Sequence, residues 1–237
     1  VSNILGKFKG EIFFRLFCLL AIPAWGQAQV AVHYSTDDLI LDEQEKTLHG
    51  TVDIFLKNNS ADTLQQFNFA LWAHAYQRTG TALGKELLED QNMGLHFAHQ
   101  ADLGYYEFLI FRIKGDEFQY IGDEFIVIDQ IVLPGEEFNI SVKFKLKLPN
   151  ARFNGFGFDE NTIRLSHVFP RLQKPGTATA NSRNREAAFY PATYQINLKR
   201  DNSIVKTEVV SNAKLAITDQ TVVIKSEEAL HDLLLIT

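Results

Sequence analysis

At 237 residues the chain has room for one large all-β domain or two small ones. Hydrophobic residues at 46%, including 19 Phe, supply a core and exclude a disordered chain. A net charge of −6 gives no electrostatic basis for binding nucleic acid or an anionic membrane.

Residues 1–28 read as a secretory signal peptide. Lys7, Lys9 and Arg15 make a basic start, interrupted by Glu11, and an apolar stretch runs from Phe13 to Ala24 around Arg15. Ala24, Gly26 and Ala28 then offer a small-residue cleavage site. The competing reading is a short membrane anchor, but the unbroken apolar run is well under the ~20 residues that a span needs. Cys18 is the one cysteine and falls in this leader, without the small residue that precedes a lipidated cysteine. Residues 29–237 therefore have no thiol for a disulfide, a Cys-ligated zinc or a cysteine nucleophile. They are expected to form a single exported β-rich domain with no transmembrane span.

In chain order, residues 30–41 and 47–56 alternate loosely and are separated by the polar turn Asp42-Glu43-Gln44-Glu45-Lys46. Asn58-Asn59-Ser60-Ala61-Asp62 makes the next turn, from residues that bond their own backbone. Residues 64–72 follow, with Phe67, Phe69 and Leu71 on one face, and the three strands read as a meander. Leu83, Leu87 and Leu88 predict a short helix over residues 81–90, with Thr79 or Thr81 as its cap. Residues 94–104 are polar and irregular. Strand patterning returns over 105–113, and Lys114-Gly115-Asp116 turns the chain into 117–121.

Residues 124–148 carry the clearest pattern. Phe138, Ile140, Val142, Phe144, Leu146 and Leu148 alternate without a break with polar residues, three of them lysines. A period of two puts every apolar side chain on one face of a strand. The β-branched runs Phe125-Ile126-Val127-Ile128 and Ile131-Val132-Leu133 precede it, and Pro134-Gly135 lies between. The pair reads as an antiparallel hairpin.

Beyond Pro149-Asn150, residues 152–159 form a glycine–aromatic loop, and 162–169 read as a strand stopped by Pro170. Residues 173–185 are a long loop. Residues 194–198, 204–210, 214–218 and 221–225 are short strands, with turns at Asp201-Asn202-Ser203 and Asp219-Gln220. The apolar run over 230–236 is expected to pair or to lead onward. The fold class predicted is all-β and mainly antiparallel, with saddle-like or sandwich sheets and one short helix near residues 81–90.

Residues with chemical potential each have a plainer reading. His96 and His99, three apart and followed by Asp102, share a face only on a helix, and Gly94 and Gly104 bracket them instead. Phe153-Asn154-Gly155-Phe156-Gly157 precedes no helix whose amino terminus can hold a phosphate, so a tight bend is expected. Asp37-Asp38 and Asp42-Glu43 match no calcium-loop spacing. Ser166 and His167 are neighbours on the expected strand and would point to opposite faces. Asn58 and Asn139 open Asn-x-Ser sequons. No H-E-x-x-H, nucleophile elbow or paired-carboxylate pattern occurs.

Several stretches together resemble the aminopeptidase N-like zinc metallopeptidases (peptidase family M-one). Asp38-Leu39-Ile40-Leu41-Asp42 followed by Lys46-Thr47-Leu48-His49-Gly50-Thr51-Val52 resembles the opening strands of that family. Leu71-Trp72-Ala73-His74-Ala75-Tyr76, then Thr81-Ala82-Leu83-Gly84-Lys85, is similar to its bacterial branch. Leu133-Pro134-Gly135-Glu136, residues 153–159, Glu186-Ala187-Ala188-Phe189-Tyr190 and Tyr194-Gln195-Ile196-Asn197-Leu198 continue the order. Leu230-His231-Asp232 resembles the junction at which the catalytic domain begins.

The resemblance covers about residues 32–237. It implies a non-catalytic amino-terminal β-saddle of an exported zinc peptidase, packed on a downstream catalytic domain of the same polypeptide and shaping its substrate cleft. Zinc, with its H-E-x-x-H and further Glu, belongs to that downstream domain, and this chain holds no cofactor of its own. The one residue that the resemblance singles out as a peptide-substrate contact is His167. Relatives carry Gln there, able to meet a free amine, and Trp where this chain has Val168. A neutral imidazole also accepts a hydrogen bond from an ammonium. Two other readings stand beside this one: a stand-alone secreted β-sandwich that binds protein or glycan through loops such as 173–185, and a degenerate relative whose missing catalytic half was replaced by something else.

Overall fold

The computed structural model describes residues 29–78, 80–120, 124–153, 155–160, 162–176, 188–200, 210–218, 221–230 and 233–236. The leader, the alternative cap Thr79, most of the loop over 173–185, nearly all of the strand over 204–210, the turns at 201–203 and 219–220, and His231-Asp232 lie outside the described residues. Among those described, the chain is built from mostly antiparallel open sheets with one α-helix, and no sheet closes into a barrel.

The first strands are β1 (Val30–Asp42), β2 (Thr47–Asn58) and β3 (Leu64–Ala70), followed by the helix α1 (Ala82–Glu89). The middle of the chain forms β4 (Tyr105–Ile113), β5 (Asp116–Gln119), β6 (Phe125–Val132) and β7 (Glu137–Lys147). The rest forms β8 (Gly157–Phe158), β9 (Ile163–Leu165), β10 (Arg171–Leu172), β11 (Ala192–Arg200), β12 (Val210–Ser211), β13 (Lys214–Ile217), β14 (Thr221–Lys225) and β15 (Leu235–Ile236). An eight-stranded sheet runs β13-β14-β11-β1-β2-β7-β4-β5, and β1 with β11 is its parallel pair. A three-stranded sheet, β10-β3-β6, and a four-stranded one, β12-β15-β9-β8, complete the set.

The alternation in β7 sets the core. Phe138, Ile140, Val142, Phe144 and Leu146 are all buried, while Glu137, Asn139 and Lys143 face solvent. Burying each such side chain contributes about 1.5–3 kcal/mol. The three-stranded sheet lies against this face: Phe67 of β3 stacks on Phe138 with ring centroids 5.7 Å apart.

The expected hairpin over 124–148 does not form. β6 pairs with β3 in the small sheet, whereas β7 pairs with β2 and β4 in the large one. Both edges of β7 are already taken, so β6 has no edge to join and packs over the sheet instead. The expected meander fails in the same way, because β3 also leaves the large sheet after Asn58. Turn residues specify that the chain reverses; they do not specify whether the next strand pairs or crosses to a facing sheet.

Asn58 sits where both crossings meet. Its amide Nδ2 donates to Asp62 O at 2.8 Å and to Val132 O at 3.1 Å, and its Oδ1 accepts from the Ser60 hydroxyl at 2.6 Å. Its backbone N–H donates to Glu136 O, and its carbonyl accepts from Gly135 N–H.

β3 stops at Ala70, and Trp72–Tyr76 forms a 3-10 turn where the strand was expected to continue. Thr81 caps α1, accepting from Gly84 N–H at 3.2 Å, and Leu83 packs into the core beside that turn. The apolar run after residue 229 pairs: Leu230 bridges Ala192, and β15 adds to β9. No helix among the described residues is long and apolar enough to cross a membrane.

Candidate functional site

The segment linking the two small sheets holds the candidate site. β9 ends at Leu165, and His167 then takes φ +51°, so the strand expected over 162–169 is cut short. The left-handed region costs a side chain bearing a Cβ about 1–2 kcal/mol. It persists here because the following residues are fixed from below. Tyr106 of β4 donates its hydroxyl to Val168 O at 2.8 Å, and Tyr34 of β1 donates to Pro170 O at 2.9 Å. Between these two bonds the Phe169 ring stacks on Tyr34 at 5.8 Å and meets Phe144 edge-on at 6.1 Å. Burial, and then the nearby Tyr34, raise the Tyr106 pKa, so its hydroxyl stays protonated and keeps donating.

Around His167 the structure gathers residues from distant parts of the chain. Trp72, from the 3-10 turn, presents its ring edge to the imidazole at 6.2 Å, and Tyr76 packs edge-on to Trp72 at 5.9 Å. Arg171 opens β10 and is 1% exposed. Its guanidinium lies 5.1 Å from the Phe189 ring centroid, and its Nη1 is 3.5 Å from His167 Nδ1. Ser166 and His167 are not opposed strand neighbours, because the left-handed backbone re-aims the imidazole.

The other sequence candidates have structural roles. Asp102, after the His96/His99 pair, is bonded by Arg152 at 2.9 Å and by the Asn150 amide at 3.2 Å. Glu43 accepts from Arg200 Nε at 2.6 Å, and Asp42 caps its own turn through Gln44 N–H and Glu45 N–H. Phe153 and Phe156 pack on Tyr76 at 6.4 and 5.6 Å, which makes their loop a bend in the core. Among the described residues no three His, Cys, Asp or Glu converge to hold a metal ion.

The outer face of the large sheet carries a cavity of about 540 Å³, lined by His33, Phe55, Lys57, Glu137, Asn139 and Thr193 among others. His33, Phe55 and Thr193 form one cross-strand row. His33 Nδ1 is 2.8 Å from Thr193 Oγ1, and its ring lies 5.9 Å from the Phe55 ring. Burial lowers the His33 pKa, with a hydrogen bond to the Thr193 backbone opposing.

Sequence reasoning missed Arg171, Tyr34, Tyr106 and this cavity. A charged residue directly after Pro170 looks like an exit from a turn, and nothing local marks either tyrosine as a donor to a segment more than sixty residues away.

No family model matches the chain, and no curated protein does. Solved structures do. An M1 zinc metallopeptidase from Deinococcus radiodurans is 10% identical with a TM-score of 0.46, the match covering 91% of this chain and 44% of that one. A two-domain M1 zinc metallopeptidase bound to L-tryptophan is 11% identical with a TM-score of 0.47, covering 89% and 43%. Yeast LTA4 hydrolase in complex with bestatin is 10% identical with a TM-score of 0.39, covering 91% and 31%. This chain spans less than half the length of each of these three solved chains.

Proposed function

We propose that residues 29–237 are the non-catalytic amino-terminal β domain of an exported, aminopeptidase-like zinc metallopeptidase, following a signal peptide at 1–28. In this reading the domain packs on a downstream zinc domain and closes one side of its substrate cleft, with His167 facing the peptide. The observation that carries it is the backbone of His167. A left-handed residue whose successors, Val168 and Pro170, are held by two buried tyrosines is a maintained strain, and such strain collects at functional positions. It falls on the one residue that the sequence resemblance marks as a substrate contact. The described residues of this chain do not fit zinc, so the ion would be held downstream by an H-E-x-x-H pair and a further Glu, where it would activate water.

The test is to read the gene past codon 237, and to assay the intact product for bound zinc and for release of amino-terminal residues from peptides. An in-frame H-E-x-x-H with a second Glu, zinc in the product and a rise in KM for His167→Ala are expected. A product that holds no zinc and cleaves no peptide sinks the reading.

The outer-face cavity favours a second reading, a secreted module that binds protein or glycan on its own. Its size lies in the range of small-ligand sites. Binding to an immobilised protein or glycan array that is lost in Phe55→Ser but kept in His167→Ala would favour it.

A further inference from the structure

We propose that the cavity on the outer face of the large sheet binds a small, uncharged aromatic molecule, its ring lying over Ala31 and against Phe55. This goes beyond the reading in which the same cavity serves a protein or a glycan, and it does not depend on whether the domain packs on a zinc domain.

One small side chain among larger ones makes the cavity. Two rows of side chains cross this face next to each other. The first is Thr193, His33, Phe55 and Asn139, on β11, β1, β2 and β7. The second is Ala31, Lys57 and Glu137, on β1, β2 and β7. Residues two apart on a strand stand on the same face about 6.7 Å apart, so Ala31 offers only a methyl group where its neighbours reach outward. The chain itself closes one side. Ala192 and Leu230 exchange two backbone hydrogen bonds of 2.8 Å, which brings Pro191 and Ala229 to the edge of the cavity. The space left, about 540 Å³, lies in the range of small-molecule sites.

A second side is aromatic. Phe55 is 43% exposed although its strand is flanked on both edges. The His33 ring lies 5.9 Å from it at 35°. Together the two rings offer a stacking surface to a third.

The charges decide which kind of ring fits. Lys57 Nζ and Glu137 Oε1 are 3.1 Å apart and neutralise each other. His33 Nδ1 lies 2.8 Å from Thr193 Oγ1, and burial keeps the imidazole neutral at about pH 7. A carboxylate or ammonium entering here would give up water without meeting a free counter-ion. A sugar fails for a related reason. Each of its hydroxyls needs a partner on leaving water, and most polar groups here are already paired with one another. The exposed Asn139 amide is left to meet one polar substituent on the ring.

The experiment is equilibrium dialysis of the intact protein carrying this chain against three probes of one ring system: naphthol, naphthoate and naphthylmethylammonium. Naphthol should bind saturably and at least about tenfold tighter than either ion. Ala31→Phe fills the space with a ring of its own and should abolish that binding, and Phe55→Ser should weaken it about tenfold. Circular dichroism checks that each variant is folded, and if Ala31→Phe is not, Phe55→Ser carries the test. The proposal is overturned if naphthol does not saturate, if either ion binds as tightly, or if a folded variant binds naphthol like wild type. A methyl glycoside that binds tighter than naphthol, and is lost in the same variants, would also overturn it and give the cavity to a sugar.

Discussion

The side-chain amide of Asn58 donates to the carbonyl of Val132, 74 residues away, and in doing so ties together the two places where the chain leaves the large sheet. β2 ends at Asn58 and β6 ends at Val132. Each turn alone gives the chain freedom to pair locally. Joined through one buried amide, the two turns send β3 and β6 together to the facing sheet.

Replacing Asn58 by Ala should cost about 1–3 kcal/mol, because it takes the side-chain donor from the buried Val132 carbonyl, whereas the exposed Asp62 carbonyl keeps the Ser60 hydroxyl. Asn58→Asp should be no milder, since a carboxylate would face two carbonyl oxygens. Urea denaturation of the three proteins checks both values. An alanine variant within about 0.5 kcal/mol of wild type would show that the crossings are held by strand packing alone. The same burial predicts that the Asn58 sequon carries no glycan when the chain is secreted from a glycosylating host, which intact-mass measurement reads directly.

Pro149 is pressed between two glycines. A Cβ on Gly157, which has φ +112°, would lie 1.8 Å from the Pro149 carbonyl oxygen, and one on Gly104 would lie 2.5 Å from Pro149 Cδ. Gly157→Ala combines a backbone that L-residues avoid with a clash against main chain, and should cost more than about 3 kcal/mol or prevent folding. Gly104→Ala meets the Pro149 ring and its main-chain nitrogen at 2.7 Å, but without the left-handed backbone of Gly157, and should cost about 2–3 kcal/mol. Gly80, where an added Cβ would meet nothing within 4 Å, is the control and should change stability by less than about 0.5 kcal/mol. Thermal melts of the three variants should fall in that order.

What the sequence made legible follows from the range of each signal. The alternation in β7 and the Thr81 cap are written within one strand or one helical turn, and both formed where expected. Sheet membership is not local. The pairing of β1 with β11 joins His33 to Thr193, and nothing in either strand names the other. At the candidate site the pattern misled: Ile163, Leu165, His167 and Phe169 alternate like a strand, while the backbone turns left-handed at the third of them. His167 is singled out by the resemblance alone. Arg171, buried beside it, is not, because nothing local in the sequence marks a charged residue as buried.

Tyr34→Phe and Tyr106→Phe each remove one hydroxyl and leave the ring, so each should cost about 1–2 kcal/mol by freeing a buried carbonyl. Both hydroxyls hold the same three residues, Val168 to Pro170. The double variant should therefore lose less than the sum of the singles, since the segment relaxes once either bond is gone. The His167 imidazole signals should move in both single variants although neither tyrosine is placed against that ring. Additive losses with an unmoved His167 spectrum would mean that the tyrosines support the core without positioning the histidine.

His33 gives the pH dependence. Burial lowers its pKa below the ordinary histidine value of 6.5, and a hydrogen bond to the Thr193 backbone opposes the shift without cancelling it. The folded state therefore prefers the neutral imidazole more strongly than the unfolded chain does. Its contribution is fully present above the unfolded value and is lost as pH falls through the lower folded one. The charged groups nearest in the same cavity, Lys57 and Glu137, are paired with each other at 3.1 Å and supply no separate counter-ion for a protonated His33. Wild type should lose stability between about pH 7 and pH 5 in excess of a His33→Asn variant, in which nothing at this position titrates. The comparison cancels the carboxylates that both proteins share. Urea midpoints that fall in parallel for the two proteins would show that the imidazole reaches water on protonation, and that the row of Thr193, His33 and Phe55 is looser in solution than its 2.8 Å hydrogen bond implies.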